Sequence, residues 1–213
     1  MVLIMRYITY LERIFSMNNM TKKRTLAVCE CGMLLALAFV LDYLCGFFKG
    51  PWVAGGGITV GMVPIVYIAF RHGNAWGIGS ALVYSALQIA MGFYVPPANT
   101  VVSIILCVFL DYLLAFTVLG ASKLFAGTVK GNKLLGYAVG SFSVCMLRFL
   151  CSFLSGVILW GDYGTMWGIE NIWLYSFCYN ISYMLPNAII TAAIITAICS
   201  AIDPVTLRRV RKK

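Results

Sequence analysis

The chain has 213 residues, of which 62% are hydrophobic and 11% charged, with a formal net charge of +9 and a mean hydropathy of +0.91. Water-soluble domains are about 45–50% apolar and about 25% charged. A chain this apolar has too few polar side chains to coat a soluble surface, so the composition excludes a soluble domain and points to an integral membrane protein.

Crossing a bilayer as a helix takes about 20 apolar residues, and six stretches qualify: residues 25–46, 57–71, 74–93, 101–126, 134–160 and 172–200. The second is short, and its beginning is rich in glycine. Strands of a membrane barrel would read as alternating segments of about ten residues, and no such alternation occurs. The expected fold is an all-α six-transmembrane-helix bundle. It divides the chain into a cytoplasmic or interfacial N-terminal segment (1–24), a membrane domain (25–202) and a basic tail (203–213).

The placement of the cations sets the orientation. Lys22, Lys23 and Arg24 precede the first span, Arg71 follows the second, and Lys123, Lys130 and Lys133 lie between the fourth and fifth. Arg208, Arg209, Arg211, Lys212 and Lys213 close the chain, whereas the opposite loops carry Lys49 with Asp162 and Glu170. By the positive-inside rule both termini are cytoplasmic. The basic tail then reads as an orientation signal with some affinity for anionic lipid, and not as a nucleic-acid surface.

Residues 1–20, "MVLIMRYITYLERIFSMNNM", are apolar but broken by Arg6, Glu12 and Arg13, and no small-residue cleavage site follows. This argues against a signal peptide. Two readings remain, a start of translation at Met17 or Met20, or an interfacial helix. The first span carries Glu30 near its cytoplasmic end and Asp42 near its outer end, with Gly32 and Ala36 on one face. A small-xxx-small pair lets another helix approach closely, either within the bundle or from a partner membrane protein. The next loop, "FFKGPWVAGGGITVGMVP", combines Pro51 and Trp52 with consecutive glycines, which suits a lid as well as a plain connector. No Gly-Lys-Ser/Thr follows, so it is a poor phosphate cradle.

His72 is the only histidine, so neither a His-based triad nor a multi-His metal site can be built from this chain. The eight cysteines form no Cys-x-x-Cys pair and lie almost entirely in apolar spans. There they behave as small hydrophobes, and no metal or cofactor site is expected.

The fourth span holds "VFLDYLLAF", with Asp111 in mid-span. An ionised Asp at a helix centre costs about 2.5–3.5 kcal/mol on insertion scales. In the antiparallel fifth span Arg148 falls at similar depth, and an Asp111–Arg148 ion pair is the expected relief. Arg148, Ser152 and Ser155 share one face. In the last span Ser176, Asn180, Tyr183 and Asn187 follow another. Trp160, Tyr163, Trp167, Trp173 and Tyr175 cluster at the outer interface, where an aromatic belt explains Trp167 and Trp173. The outer half thus gathers Asp111, Tyr112, Arg148, Ser152, Trp160, Tyr175 and Asn180. That set suits a flat, partly cationic heterocycle, with aromatic faces to stack on it and attract its charge and a carboxylate to accept from an exocyclic amine.

Four stretches, "GGGITVGMVPIVYIAFRHG", "FLDYLLAFTVLG", "LRFLCSFLSGVILWGDY" and "WLYSFCYNISYMLPN", resemble in sequence and order the thiamine-specific substrate-capture (S) subunits of energy-coupling factor (ECF) transporters, the ThiT/YuaJ group. The resemblance runs from about residue 25 to 200. It implies a subunit of the bacterial cytoplasmic membrane that captures thiamine from outside, beside an ECF transmembrane coupling subunit and two ATPases. It places the family's acid–Tyr pair on Asp111 and Tyr112, its Trp closing helix 5 on Trp160, and the Tyr and Asn opening helix 6 on Tyr175 and Asn180. The basic residue of helix 5 falls on Arg148, the aromatic between helices 3 and 4 on Tyr94, and the loop 1 Trp on Trp52. Gly32 and Ala36 match the face used against the coupling subunit. Where family members often carry Glu this chain has Asp111, and where they carry His one turn beyond the basic residue it has Ser152. Both departures touch the pocket, so a thiamine precursor, a hydroxymethylpyrimidine or a thiazole, is the alternative ligand. An intramembrane enzyme using Asp111 and Tyr112 as acid and base is the remote one, opposed by the lack of a second pocket carboxylate.

Overall fold

Among the described residues six helical elements follow one another along the chain: α1 (Asn19–Cys45), α2 (Met62–His72), α3 (Asn74–Met91), α4 (Val101–Ala126), α5 (Lys133–Leu159) and α6 (Ile172–Ala201). The computed structural model describes residues 19–47, 50, 52, 55–161 and 168–207. The segment 1–18, Lys49, Pro51, Asp162, Tyr163, Trp167 and the tail residues Arg208, Arg209, Arg211, Lys212 and Lys213 lie outside the described residues. Two units divide the chain within α1, residues 1–33 and 34–213. The first is described from Asn19 as continuous helix, with Thr25 Oγ1 donating to Thr21 O at 3.0 Å.

Local chemistry sets the helix ends. Thr100 and Ser103 form a capping box at the start of α4. Asn132 accepts from Leu135 N at the start of α5, and Asn171 from Trp173 N and Leu174 N at the start of α6. Each cap satisfies N–H groups that a first turn leaves without partners. Between α2 and α3 a single residue, Gly73, makes the turn at φ +97°, in the region that favours glycine.

α1, α4, α5 and α6 are long and apolar enough to cross a membrane, and the chain is a multi-pass membrane protein. α2 is different. Sequence placed the second span at 57–71, but helix begins only at Met62 and runs 11 residues, about 16 Å at 1.5 Å per residue. Residues 55–61 approach it as non-helical chain, and the Gly55 and Gly57 carbonyls and the Thr59 N–H find side-chain partners on α6.

Small residues let the helices meet. A Cβ added at Gly120 of α4 would fall 2.3 Å from the backbone of Gly77 and Ile78 in α3. One at Gly140 of α5 would fall 2.5 Å from the Ser122 carbonyl oxygen, and one at Gly156 would strike Ser176 of α6. Without a hydrophobic drive between helices in lipid, close backbone approach supplies the packing energy. Ile65, Ile68, Tyr84, Leu119, Val144, Met184 and Ile195 fill the interior, while Val101, Ile105, Ile158 and Ile189 are exposed, as a hydrocarbon solvent requires.

After α6 the chain turns back. Arg71 Nη1 donates to the carbonyls of Pro204 at 3.0 Å and Val205 at 2.8 Å. Asp203 accepts from the backbone N–H groups of Thr206 and Val205. These bonds, that from Thr206 first, hold its carboxyl below the usual carboxylate range.

Crowding at the α3–α4 crossing leads to a direct expectation. Gly120→Ala forces rigid backbones apart and lowers stability by about 1–3 kcal/mol, read as a fall in the thermal unfolding midpoint in detergent. Gly79→Ala, where a Cβ meets nothing within 4 Å, leaves the midpoint unchanged or raises it.

Candidate functional site

Helix α4 does not keep one winding. Val101–Cys107 is α-helical, Val108–Leu114 is a π-helix, and a 3-10 turn follows at Val118–Ala121. π-turns are rare and recur at functional sites. Here the widened turn contains Asp111 and Tyr112, and it sends the two side chains to different partners. Asp111 Oδ2 accepts from Ser155 Oγ at 2.5 Å and Trp160 Nε1 at 3.3 Å, with Cys107 Sγ at 3.7 Å. The Tyr112 hydroxyl donates to Gly92 O and accepts from Tyr94 N, both at 3.2 Å. It thereby fixes the chain between α3 and α4 that carries Tyr94.

The expected Asp111–Arg148 ion pair is not formed. The Arg148 guanidinium lies over the ring of Phe116, 4.0 Å from its centroid, and its Nε is buried without a hydrogen-bond partner. Hydroxyl, indole and thiol donors reach Asp111 first, because the π-turn aims the carboxylate toward Ser155 and Trp160. Arg148 is instead held by the quadrupole of an aromatic face.

The polar face of α6 reads as the sequence spacing indicates, with Ser176, Asn180, Tyr183 and Asn187 all buried. Asn180 donates to Ser176 O at 2.9 Å and accepts from the Tyr183 hydroxyl at 2.7 Å. Asn187 grips the loop before α2 by both ends of its amide, donating to Gly57 O and accepting from Thr59 N, each at 2.8 Å. The Tyr179 hydroxyl donates to Gly55 O at 2.7 Å, and Trp52 Nε1 donates to Ser182 Oγ at 2.7 Å. At Gly56, φ is +89° and a Cβ would fall 2.7 Å from the Tyr183 ring, so only glycine lets the backbone lie flat on that ring. The loop is a seated wall.

A residue noted near the outer end of the first span, but given no place in the site, completes this wall. Asp42 of α1 accepts hydrogen bonds from Thr59 Oγ1 and the Tyr84 hydroxyl, and from Gln88 Nε2 at 2.6 Å. It lines the same cavity as Asp111, which corrects the expectation of a single pocket carboxylate. The signal was an Asp near the outer end of an apolar span, with Gln88 as an amide inside another. Its oxygens are engaged by three partners, which join α1, α3 and the loop before α2.

These elements enclose a cavity of about 640 Å³, within the range of small-molecule sites of about 300–1,000 Å³. Every residue proposed from sequence as ligand-binding lines it: Trp52, Tyr94, Asp111, Tyr112, Arg148, Ser152, Trp160, Tyr175 and Asn180. Tyr179, Tyr183 and Asn187 also line it; of these, sequence had put Tyr183 and Asn187 on the polar face of α6 but not in the binding set. Gly32 and Ala36 are exposed on α1 and are not among the lining residues. Aromatic walls with a few fixed polar groups suit binding of a flat, polar-edged, cationic molecule.

Comparison with known proteins is consistent across three measures. The profile of the family described as Thiamine transporter protein (Thia_YuaJ) matches residues 28–206. The chain is 30% identical over 183 residues to "Thiamine transporter ThiT" of Bacillus subtilis (strain 168), a match spanning 81% of this chain and 90% of that protein. A solved structure of ThiT from Listeria monocytogenes superposes with a TM-score of 0.65 at 23% identity, covering 83% of this chain and 94% of that one. At that identity the likeness concerns the fold.

The seating of the loop can be measured by hydrogen exchange. Asn187→Leu removes both amide bonds, and exchange in peptides covering 55–61 is expected to accelerate about 10- to 100-fold, the equivalent of about 1–3 kcal/mol, with exchange in α5 unchanged.

Proposed function

The chain belongs to the Thiamine transporter protein (Thia_YuaJ) family, a family of bacterial membrane transporters and not of enzymes, and from this premise we propose that it is the substrate-binding subunit of an ECF-type vitamin importer. It captures thiamine from the extracellular side. Transport is driven by ATP through a transmembrane coupling subunit and two ATPase subunits, since this chain carries no phosphate-binding loop of its own. Gly32 and Ala36, exposed on α1, form the small-residue face for the coupling subunit.

The observation that carries the reading is the Asp111 carboxylate at the cavity wall, oriented by Ser155 and Trp160. Thiamine joins an aminopyrimidine to a cationic thiazolium. A carboxylate held by neighbours that donate to one oxygen keeps its other oxygen for the exocyclic amine and balances the thiazolium charge. Trp160, Tyr175, Tyr94 and Trp52 supply faces for both rings, and Tyr112, Ser152 and Asn180 supply edge contacts. Arg148, with a buried Nε free of hydrogen bonds, serves a ligand acceptor. A thiamine precursor is the alternative ligand, because Asp111 reaches one methylene less far than Glu.

Calorimetry on purified protein tests this. Thiamine is expected to bind at submicromolar concentration, and Asp111→Ala or Trp160→Ala weakens it at least about 100-fold, the equivalent of about 3 kcal/mol. Tighter binding of a hydroxymethylpyrimidine or a thiazole in competition would shift the assignment to the precursor. A folded protein that binds none of these would overturn it.

A further inference from the structure

The cavity's charge does not balance when its fixed groups are taken alone. Among its described lining residues the charged groups are Asp42, Asp111 and Arg148, so two carboxylates face one guanidinium. Thr59, Tyr84 and Gln88 hydrogen-bond the Asp42 carboxyl, and the Gln88 amide N–H can only donate, so Asp42 stands in the wall as an acceptor. Tyr84 connects it to the cation. The Tyr84 ring packs edge-on to Phe116 at 5.4 Å, and the Arg148 guanidinium lies 4.0 Å from the centroid of the same Phe116 ring.

We propose that Asp42 is a specificity-determining residue of the cavity, a second fixed negative charge that makes occupancy by a monocation the neutral state. This rests on the thiamine-binding reading above and extends it. In a partly dry cavity an uncompensated charge is costly, and Coulomb interaction reaches across several ångströms. Asp42, which lines the cavity, therefore acts on a cationic ligand through its field. It also anchors Thr59, so its charge stands in the same wall as the loop before α2.

The test separates charge from scaffolding. The probes are thiamine and an uncharged isostere in which a thiophene replaces the thiazolium, both measured by calorimetry. Asp42→Asn keeps size and shape; it is expected to weaken thiamine about 30-fold and the isostere by less than about 3-fold. Asp42→Asn combined with Gln88→Glu restores a carboxylate to the same cluster, and recovers the preference for thiamine. This double variant also decides the matter if the single one does not fold. Equal loss of both ligands, unchanged thiamine affinity, or a double variant that folds without regaining the preference would overturn the proposal while leaving thiamine capture intact. Wild-type protein that binds neither probe would overturn thiamine capture itself, and this inference with it.

Discussion

The site depends on one constraint: a carboxylate placed in the middle of a membrane helix has to be satisfied without water. Asp111 meets it through Ser155 and Trp160, both from the end of α5 that faces the start of α6. This single cluster ties α4 to α5 at the cavity. It explains why Trp160 closes the helix where it does, and why Ser155 is wholly buried in an otherwise apolar stretch. The π-turn at Val108–Leu114 is the backbone's part of the same solution, since it turns Asp111 to the donors and Tyr112 to the α3–α4 connection.

A second polar layer holds the opposite wall. Asp42 joins α1, α3 and the loop before α2 through Thr59, Tyr84 and Gln88, and Asn187 joins that loop to α6. Non-helical chain is tolerated in a membrane protein where it is buried in protein or lines a cavity. Residues 55–61 meet that condition through side-chain amides and hydroxyls in place of a helix's own bonds. The shortness of α2 and the glycines before it are thus one feature: glycine allows the close approach, and Asn187 and Tyr179 supply the partners.

Much of this was legible in the sequence. The long apolar runs gave α1, α4, α5 and α6, because hydropathy over about 20 residues reports the solvent directly. Helical spacing put Ser176, Asn180, Tyr183 and Asn187 on one face. Polarity in the outer half of the spans picked out Asp111, Tyr112, Arg148, Ser152, Trp160, Tyr175 and Asn180, to which the resemblance added Tyr94 and Trp52; all nine line the cavity. Three features were not legible. The start of α2 lay five residues beyond expectation because Gly-rich chain reads as apolar without forming helix. The Asp111–Arg148 pair failed because depth alone does not fix direction, and a local π-turn leaves no periodic trace. Asp42 was noted in the first span but not assigned to the cavity, because its partners, Thr59 and Gln88, come from separate segments and only tertiary packing brings them together.

The central claim is that the cavity between α1, α4, α5 and α6 takes thiamine with Asp111 as its polar anchor. A crystal or cryo-EM structure of the chain prepared in saturating thiamine tests this most directly. The predicted result is ligand density inside the cavity, stacked on the wall that carries Trp160, with the Asp111 carboxylate in hydrogen-bond contact with the aminopyrimidine. Density for thiamine elsewhere, or a cavity holding only lipid or detergent under those conditions, would contradict it.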